Sequence, residues 1–123
     1  MSNHSIVHVE ISSKDLEGTI KFYGELFGWQ IQAMPEMNYA LFQTSDEMGG
    51  GFSPVDNQTY KAGDVIVYVS TDDVEASLAK AESLGGKKLM GKTEVPGFGW
   101  FGMFLDPTGN RIGLWTAAPR NGQ

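Results

Sequence analysis

Apolar and polar residues alternate over Ile6–Ile11 (IVHVEI) and again over Val65–Val69 (VIVYV). Such alternation, rich in β-branched residues, predicts a half-buried strand in each place. An acidic residue follows each run, Asp15 in one and Asp72/Asp73 in the other, and a carboxylate there suits a helix N-cap. The periodicity then changes. Leu16, Ile20, Tyr23 and Leu26 recur in steps that hold one helical face, and Val74, Leu78, Ala81 and Leu84 repeat the same steps. Gly28 and Gly85-Gly86 stand where a helix C-cap favours a left-handed residue. Beyond each helix the pattern is β-like again. Trp29–Met34, Tyr39–Thr44 and Gly49–Ser53 read as strands in the first half, and Lys87–Gly91, Trp100–Leu105 and Arg111–Thr116 in the second. Asp106-Pro-Thr-Gly109 reads as the turn into the last strand.

The two halves are copies. Val7–Gln32 laid over Val65–Met90, an offset of 58, gives seven identities in 26 positions. Later in the chain the better offset is 62, which sets Tyr39-Ala-Leu-Phe42 over Phe101-Gly-Met-Phe104. The difference, 62 − 58 = 4, is a four-residue insertion around Thr93–Gly99. Each copy is therefore strand–helix–strand–strand–strand. The first covers about residues 6–54 and the second about 65–117, joined by a polar linker over about 55–64, in a single domain of residues 1–123.

Composition narrows the chemistry. No cysteine occurs in the 123 residues, which excludes disulfides, thiolate catalysis and cysteine zinc sites. The net charge of −6 argues against nucleic acid or an anionic membrane as a partner. No apolar run approaches the roughly 20 residues needed to span a bilayer, and no secretory leader is visible, so a cytoplasmic protein is expected. There are two histidines, His4 near the terminus and His8 in the first strand. Glycine is in excess, 16 of 123. Met48-Gly-Gly-Gly51-Phe52 and Pro96-Gly-Phe-Gly-Trp-Phe-Gly102 set bare backbone beside aromatic rings. Two readings stand for them: a flexible, aromatic-rimmed entrance for a flat ligand, or bulges and turns beside buried rings.

Two βαβββ modules in about 120 residues resemble the vicinal oxygen chelate superfamily, which includes glyoxalase I, bleomycin-resistance proteins and extradiol dioxygenases. The resemblance covers Ile6 to about Ala117. Its most specific parts are the helix segment Asp15–Trp29 (DLEGTIKFYGELFGW) and the hairpin Phe104–Trp115 (FLDPTGNRIGLW). It implies an α+β fold in which the modules form a cup-shaped mixed β-sheet, with a ligand on the concave side and helices on the other. It also implies a homodimer.

Enzymes of that family bind a divalent metal through the first and last strands of each module. Carried onto this chain, those positions fall on His8, Gly51, Ile66 and Gly113. Three of the four have no side-chain donor, and one histidine does not hold a catalytic ion. No metal and no other cofactor is therefore expected. If His8 faces the concavity, strand parity brings Glu10 with it, and the repeat adds Tyr68. The family position of Gly113 brings in Arg111 and Trp115. With Gln43, Phe52 and Trp100 these are the candidate ligand-binding residues, a mixture of aromatic surface and polar handles that suits a small organic molecule.

The leading expectation is a metal-independent protein that binds a small, partly aromatic or hydrophobic molecule. The alternative is a family enzyme of the lyase, isomerase or dioxygenase type. It would use rebuilt metal ligands or a His8/Glu10 acid–base pair. A third reading makes the sheet face an interaction surface of a dimer.

Overall fold

The structure is a computed structural model and describes residues 4–44, 48–57 and 60–119. Its elements run in the order β1 (Ile6–Ser13), α1 (Leu16–Phe27), β2 (Gln30–Met34), a 3-10 turn (Pro35–Met37), β3 (Tyr39–Gln43), β4 (Gly49–Pro54), β5 (Val65–Ser70), α2 (Val74–Ser83), β6 (Lys87–Val95), β7 (Gly99–Leu105) and β8 (Arg111–Ala117). The α+β class and the two βαβββ modules are as the repeat predicts. By compactness, Val7–Val67 forms one unit, and the chain from Tyr68 onward, with the residues before Val7, forms the other.

In module one the strand order is β2-β3-β4-β1. β1 and β4 run parallel, because α1 and two strands intervene between them. β2, β3 and β4 form antiparallel neighbours. Phe42, Phe52 and Ala40 are buried against Leu16, Ile20 and Tyr23 of α1. Aromatic stacking tightens this layer: Trp29 lies 4.7 Å from Phe42 and 5.3 Å from Tyr23, centroid to centroid. Leu26, the fourth residue of the predicted helix face, is 57% exposed.

Module two repeats the order as β5-β8-β7-β6, with β5 and β8 parallel. Val74 and Leu78 of α2 are buried against Leu114. Leu84, the repeat of Leu26, is also exposed, because it lies past the last helical turn. Val65, at the start of β5, is largely exposed. The four-residue insertion extends β6 to Val95 and closes a hairpin onto β7, with two register shifts along the way.

Three-dimensional details echo the repeat. Ser13 Oγ bonds Thr19 Oγ1 at 2.8 Å, and Thr71 Oγ1 bonds Ser77 Oγ at 2.7 Å, each tying a strand end to the following helix. Gly28 caps α1 in the left-handed region, as predicted. The N-caps differ. Asp73 accepts from the Ala76 N–H at 3.0 Å, whereas the Asp15 side chain makes no cap bond. In the β7–β8 turn, Asp106 Oδ1 accepts from the N–H groups of Thr108, Gly109 and Asn110, and Oδ2 from the Asn110 side chain. Those bonds, the Asn110 amide first, hold its carboxyl below the usual range. Among the described residues no helix is long and apolar enough to cross a membrane.

Candidate functional site

The alternation in β1 sends Val9 and Ile11 toward α1 and His8 and Glu10 to the opposite, helix-free face. The parallel register sets Glu10 beside Gly51 of β4, and the antiparallel register sets Gly51 beside Leu41 of β3. Tyr39 and Ser53 share this parity, so four polar side chains meet on one face.

Glu10 is at their centre, with its side chain 7% exposed. Its Oε2 accepts from the Tyr39 hydroxyl at 2.7 Å and contacts His8 Nε2, while Oε1 accepts from the Ser53 hydroxyl. Burial, and next the adjacent Glu10 charge, push the Tyr39 phenol above its ordinary range, so Tyr39 remains a neutral donor. His8 is more accessible than Glu10, with 28% of its side chain exposed. The arrangement is a buried carboxylate clasped by three donors, with an oriented imidazole at its edge.

Tyr39 was missing from the sequence reading, and it explains Gly51. A β-carbon on Gly51 would lie 1.7 Å from the Tyr39 hydroxyl oxygen. The phenol thus fills the space that any side chain at position 51 would need. On the other face of β4, Gly50 makes room for the Phe42 ring in the same way, at 2.5 Å. Gly50 and Gly51 are seats for rings, a β-carbon on Gly49 would meet the Phe42 carbonyl oxygen, and the first reading of these glycines as a flexible entrance gives way to close packing.

Module two presents a different face. Tyr68 is buried, and its ring lies over Gly113, where a β-carbon would come within 2.4 Å of it. Phe101 packs edge-on to Tyr68 at 6.5 Å and is the direct cross-strand partner of Trp115. Arg111 and Trp115 share the parity of Gly113 along β8. The offsets of the repeat map His8, Glu10, Tyr39 and Ser53 onto Ile66, Tyr68, Phe101 and Trp115. The same scaffold carries a polar cluster in one copy and apolar and aromatic groups in the other.

Two candidate residues are corrected. Phe52 is wholly buried on the helix side, stacked 5.3 Å from Tyr23 and 4.9 Å from Phe42. It follows Gly51, so strand alternation turns it away from Glu10. Trp100 packs on the helix side of module two with Val74, Leu78 and Leu114, and Lys92 Nζ lies 5.2 Å above its ring. Gln43 is exposed at the end of β3, where its amide donates to the Met48 carbonyl at 3.4 Å. It lines an open groove of about 380 Å³ with Gln30, Gln32 and Leu41.

The residues do not fit the divalent metal that the resemblance implies. Ile66 is a buried aliphatic side chain, and the places for side chains on Gly51 and Gly113 are taken by tyrosine rings. Glu10, beside the one histidine in the set, already serves three donors. Among the described residues no group of three or more His, Cys, Asp or Glu side chains converges.

The profile of the Glyoxalase/Bleomycin resistance protein/Dioxygenase superfamily matches residues 5–114, and the chain belongs to that family. It is 28% identical over 115 residues to the Mycobacterium tuberculosis protein named "Putative glyoxylase CFP32", covering 89% of this chain and 44% of that one. It is 25% identical over 122 residues to the anthracycline biosynthesis protein DnrV of Streptomyces peucetius, covering 86% and 44%. The chain therefore spans less than half the length of these curated relatives. A solved superfamily member from Vibrio splendidus shares the fold at a TM-score of 0.66 and 13% identity, covering 93% of this chain and 99% of that one.

Proposed function

We propose that the chain is a metal-independent binding protein for a small, partly aromatic or hydrophobic organic molecule, received on the helix-free face of its modules. The observation that carries this reading is the clasped Glu10. Burying a carboxylate costs several kcal/mol before its partners compensate. The fold does not require that cost, because module two builds the equivalent positions from Ile66, Tyr68, Phe101 and Trp115. The cluster is therefore best explained by what it does: it holds His8 in one orientation as a polar contact. In module two, Trp115 and Phe101, with Arg111 on the same parity, provide aromatic surface of the kind that takes flat ligands. The similarity to an anthracycline biosynthesis protein supports a flat aromatic ligand.

The chain acts as a homodimer. The exposed Phe22, Leu26 and Phe27 of α1 support burial against a second copy. Light scattering is expected to give about twice 13.4 kDa. Binding is tested by thermal shift with an anthracycline, a naphthol and an aromatic amine, in the presence of chelator. A ligand of the native state raises the melting temperature by mass action. His8→Ala should weaken binding at least about tenfold, as loss of one good polar contact does. Equal binding by His8→Ala would sink the reading.

The His8–Glu10 contact favours one second reading. An imidazole held by a buried carboxylate is the arrangement of an oriented general base. An isomerase or lyase activity whose pH–rate profile shifts in His8→Gln would support it. No turnover across hemithioacetals, catechols and epoxides would count against it.

A further inference from the structure

We propose that Tyr39 is the specificity-determining residue of the module-one face, sealing it against divalent cations and leaving it to organic ligands. The inference rests on the metal-independent reading in one respect only: the native chain is expected to bind no divalent ion.

Two observations carry it. First, Tyr39 and a side chain at position 51 exclude one another. A β-carbon at 51 would stand 1.7 Å from the phenol oxygen and 2.2 Å from Cζ, closer than any atoms pack. A donor at 51 thus requires Tyr39 to leave. Second, Tyr39 engages the oxygen of Glu10 that faces His8. Oε2 takes both the Tyr39 hydroxyl and His8 Nε2. A cation approaching that oxygen must displace the phenol and separate the imidazole from the carboxylate.

With Tyr39 gone, the face has the raw material for a site. His8 and Glu10 project from β1 two residues apart, and position 51 is the direct cross-strand neighbour of Glu10. A carboxylate at 51 would bring an imidazole and two carboxylates onto one patch, a donor set that suits Zn²⁺, Ni²⁺ or Mn²⁺. The second module repeats the ring-over-glycine packing: Tyr68 covers Gly113 there.

The test is calorimetric titration of chelator-stripped protein with Ni²⁺, Zn²⁺ and Mn²⁺. The four proteins are the native chain, Tyr39→Ala, Gly51→Glu and the double variant Tyr39→Ala/Gly51→Glu. The double variant is expected to bind one ion at least about tenfold more tightly than either single variant, a difference of about 1.4 kcal/mol or more. Adding His8→Ala should abolish that gain. A folded double variant that binds no better than the single variants would overturn the proposal. Should that variant fail to fold, Gly51→Ala supplies the test. It is expected to lower the melting temperature by several degrees in the native background, roughly as overpacking does, and to leave it unchanged when Tyr39 is Ala. Equal loss in both backgrounds would overturn the exclusion. Tight binding of an ion by the native chain would instead refute the metal-independent reading, and is distinguished by the protein in which it occurs.

Discussion

Tyr39→Phe removes one hydroxyl and leaves the ring seated over Gly51. The lost interaction is the 2.7 Å hydrogen bond to the buried Glu10 carboxylate. Hydrogen bonds to charged groups contribute about 1.5–3 kcal/mol net. Tyr39 is half-buried, which places the expected cost in the lower part of that range, about 1.5–2 kcal/mol. For a domain of this size that lowers the melting temperature by roughly 4–10 °C. Urea denaturation followed by tryptophan fluorescence and far-ultraviolet circular dichroism measures it directly. The pH dependence adds a signed test. The folded state raises the Tyr39 pKa, so folding favours the protonated phenol. Its contribution is present in full below the unfolded value of about 10 and is lost as pH rises beyond it. Stability of the native chain should therefore fall faster above about pH 10 than that of Tyr39→Phe, and the difference between the curves isolates this residue. A cost below about 0.5 kcal/mol, with superimposable alkaline curves, would refute the claim that Tyr39 clasps Glu10.

Three further outcomes follow from the packing. Phe52→Ala should cost about 3–5 kcal/mol in chemical denaturation, because the ring is wholly buried between Tyr23 and Phe42. A ligand-facing Phe52 would instead lose affinity with little loss of stability. Gly113→Ala should destabilise by about 1–3 kcal/mol, since the new methyl meets the Tyr68 ring. Asp106→Ala should lower the melting temperature at pH 7 by removing the acceptor of three backbone N–H groups. The folded pKa of Asp106 is depressed, so its contribution is present above about pH 4 and disappears as pH falls through the folded value. The gap between native and variant melting curves should close in acid.

Most of the architecture was legible because it is written twice. Alternation at Ile6–Ile11 and Val65–Val69, helical spacing after each, and glycine stops in one frame overdetermine the βαβββ repeat. Parity along β1 likewise brought His8 and Glu10 together. Tyr39 was not legible from β1, since it reaches Glu10 through the registers of β3 on β4 and β4 on β1. A signal existed in the second offset, which aligns Tyr39 with Phe101 and Ser53 with Trp115 and so places them on the strand positions that matter. Phe52 and Trp100 were misplaced by their glycine neighbours, which looked like an entrance. In both, alternation from Gly51 and from Phe101 settles the face. Side chains over glycine are hard to anticipate, because nothing at Gly51 or Gly113 itself names the ring that fills the space.

The central claim is that the module-one face binds without metal. Titration of chelator-stripped native protein with Ni²⁺, Mn²⁺ and Zn²⁺ in a calorimeter tests it most directly. The account predicts no saturable heat at ion concentrations up to roughly 100 µM, a limit weaker than about −5.5 kcal/mol. Stoichiometric, tight binding that disappears in His8→Ala would contradict it.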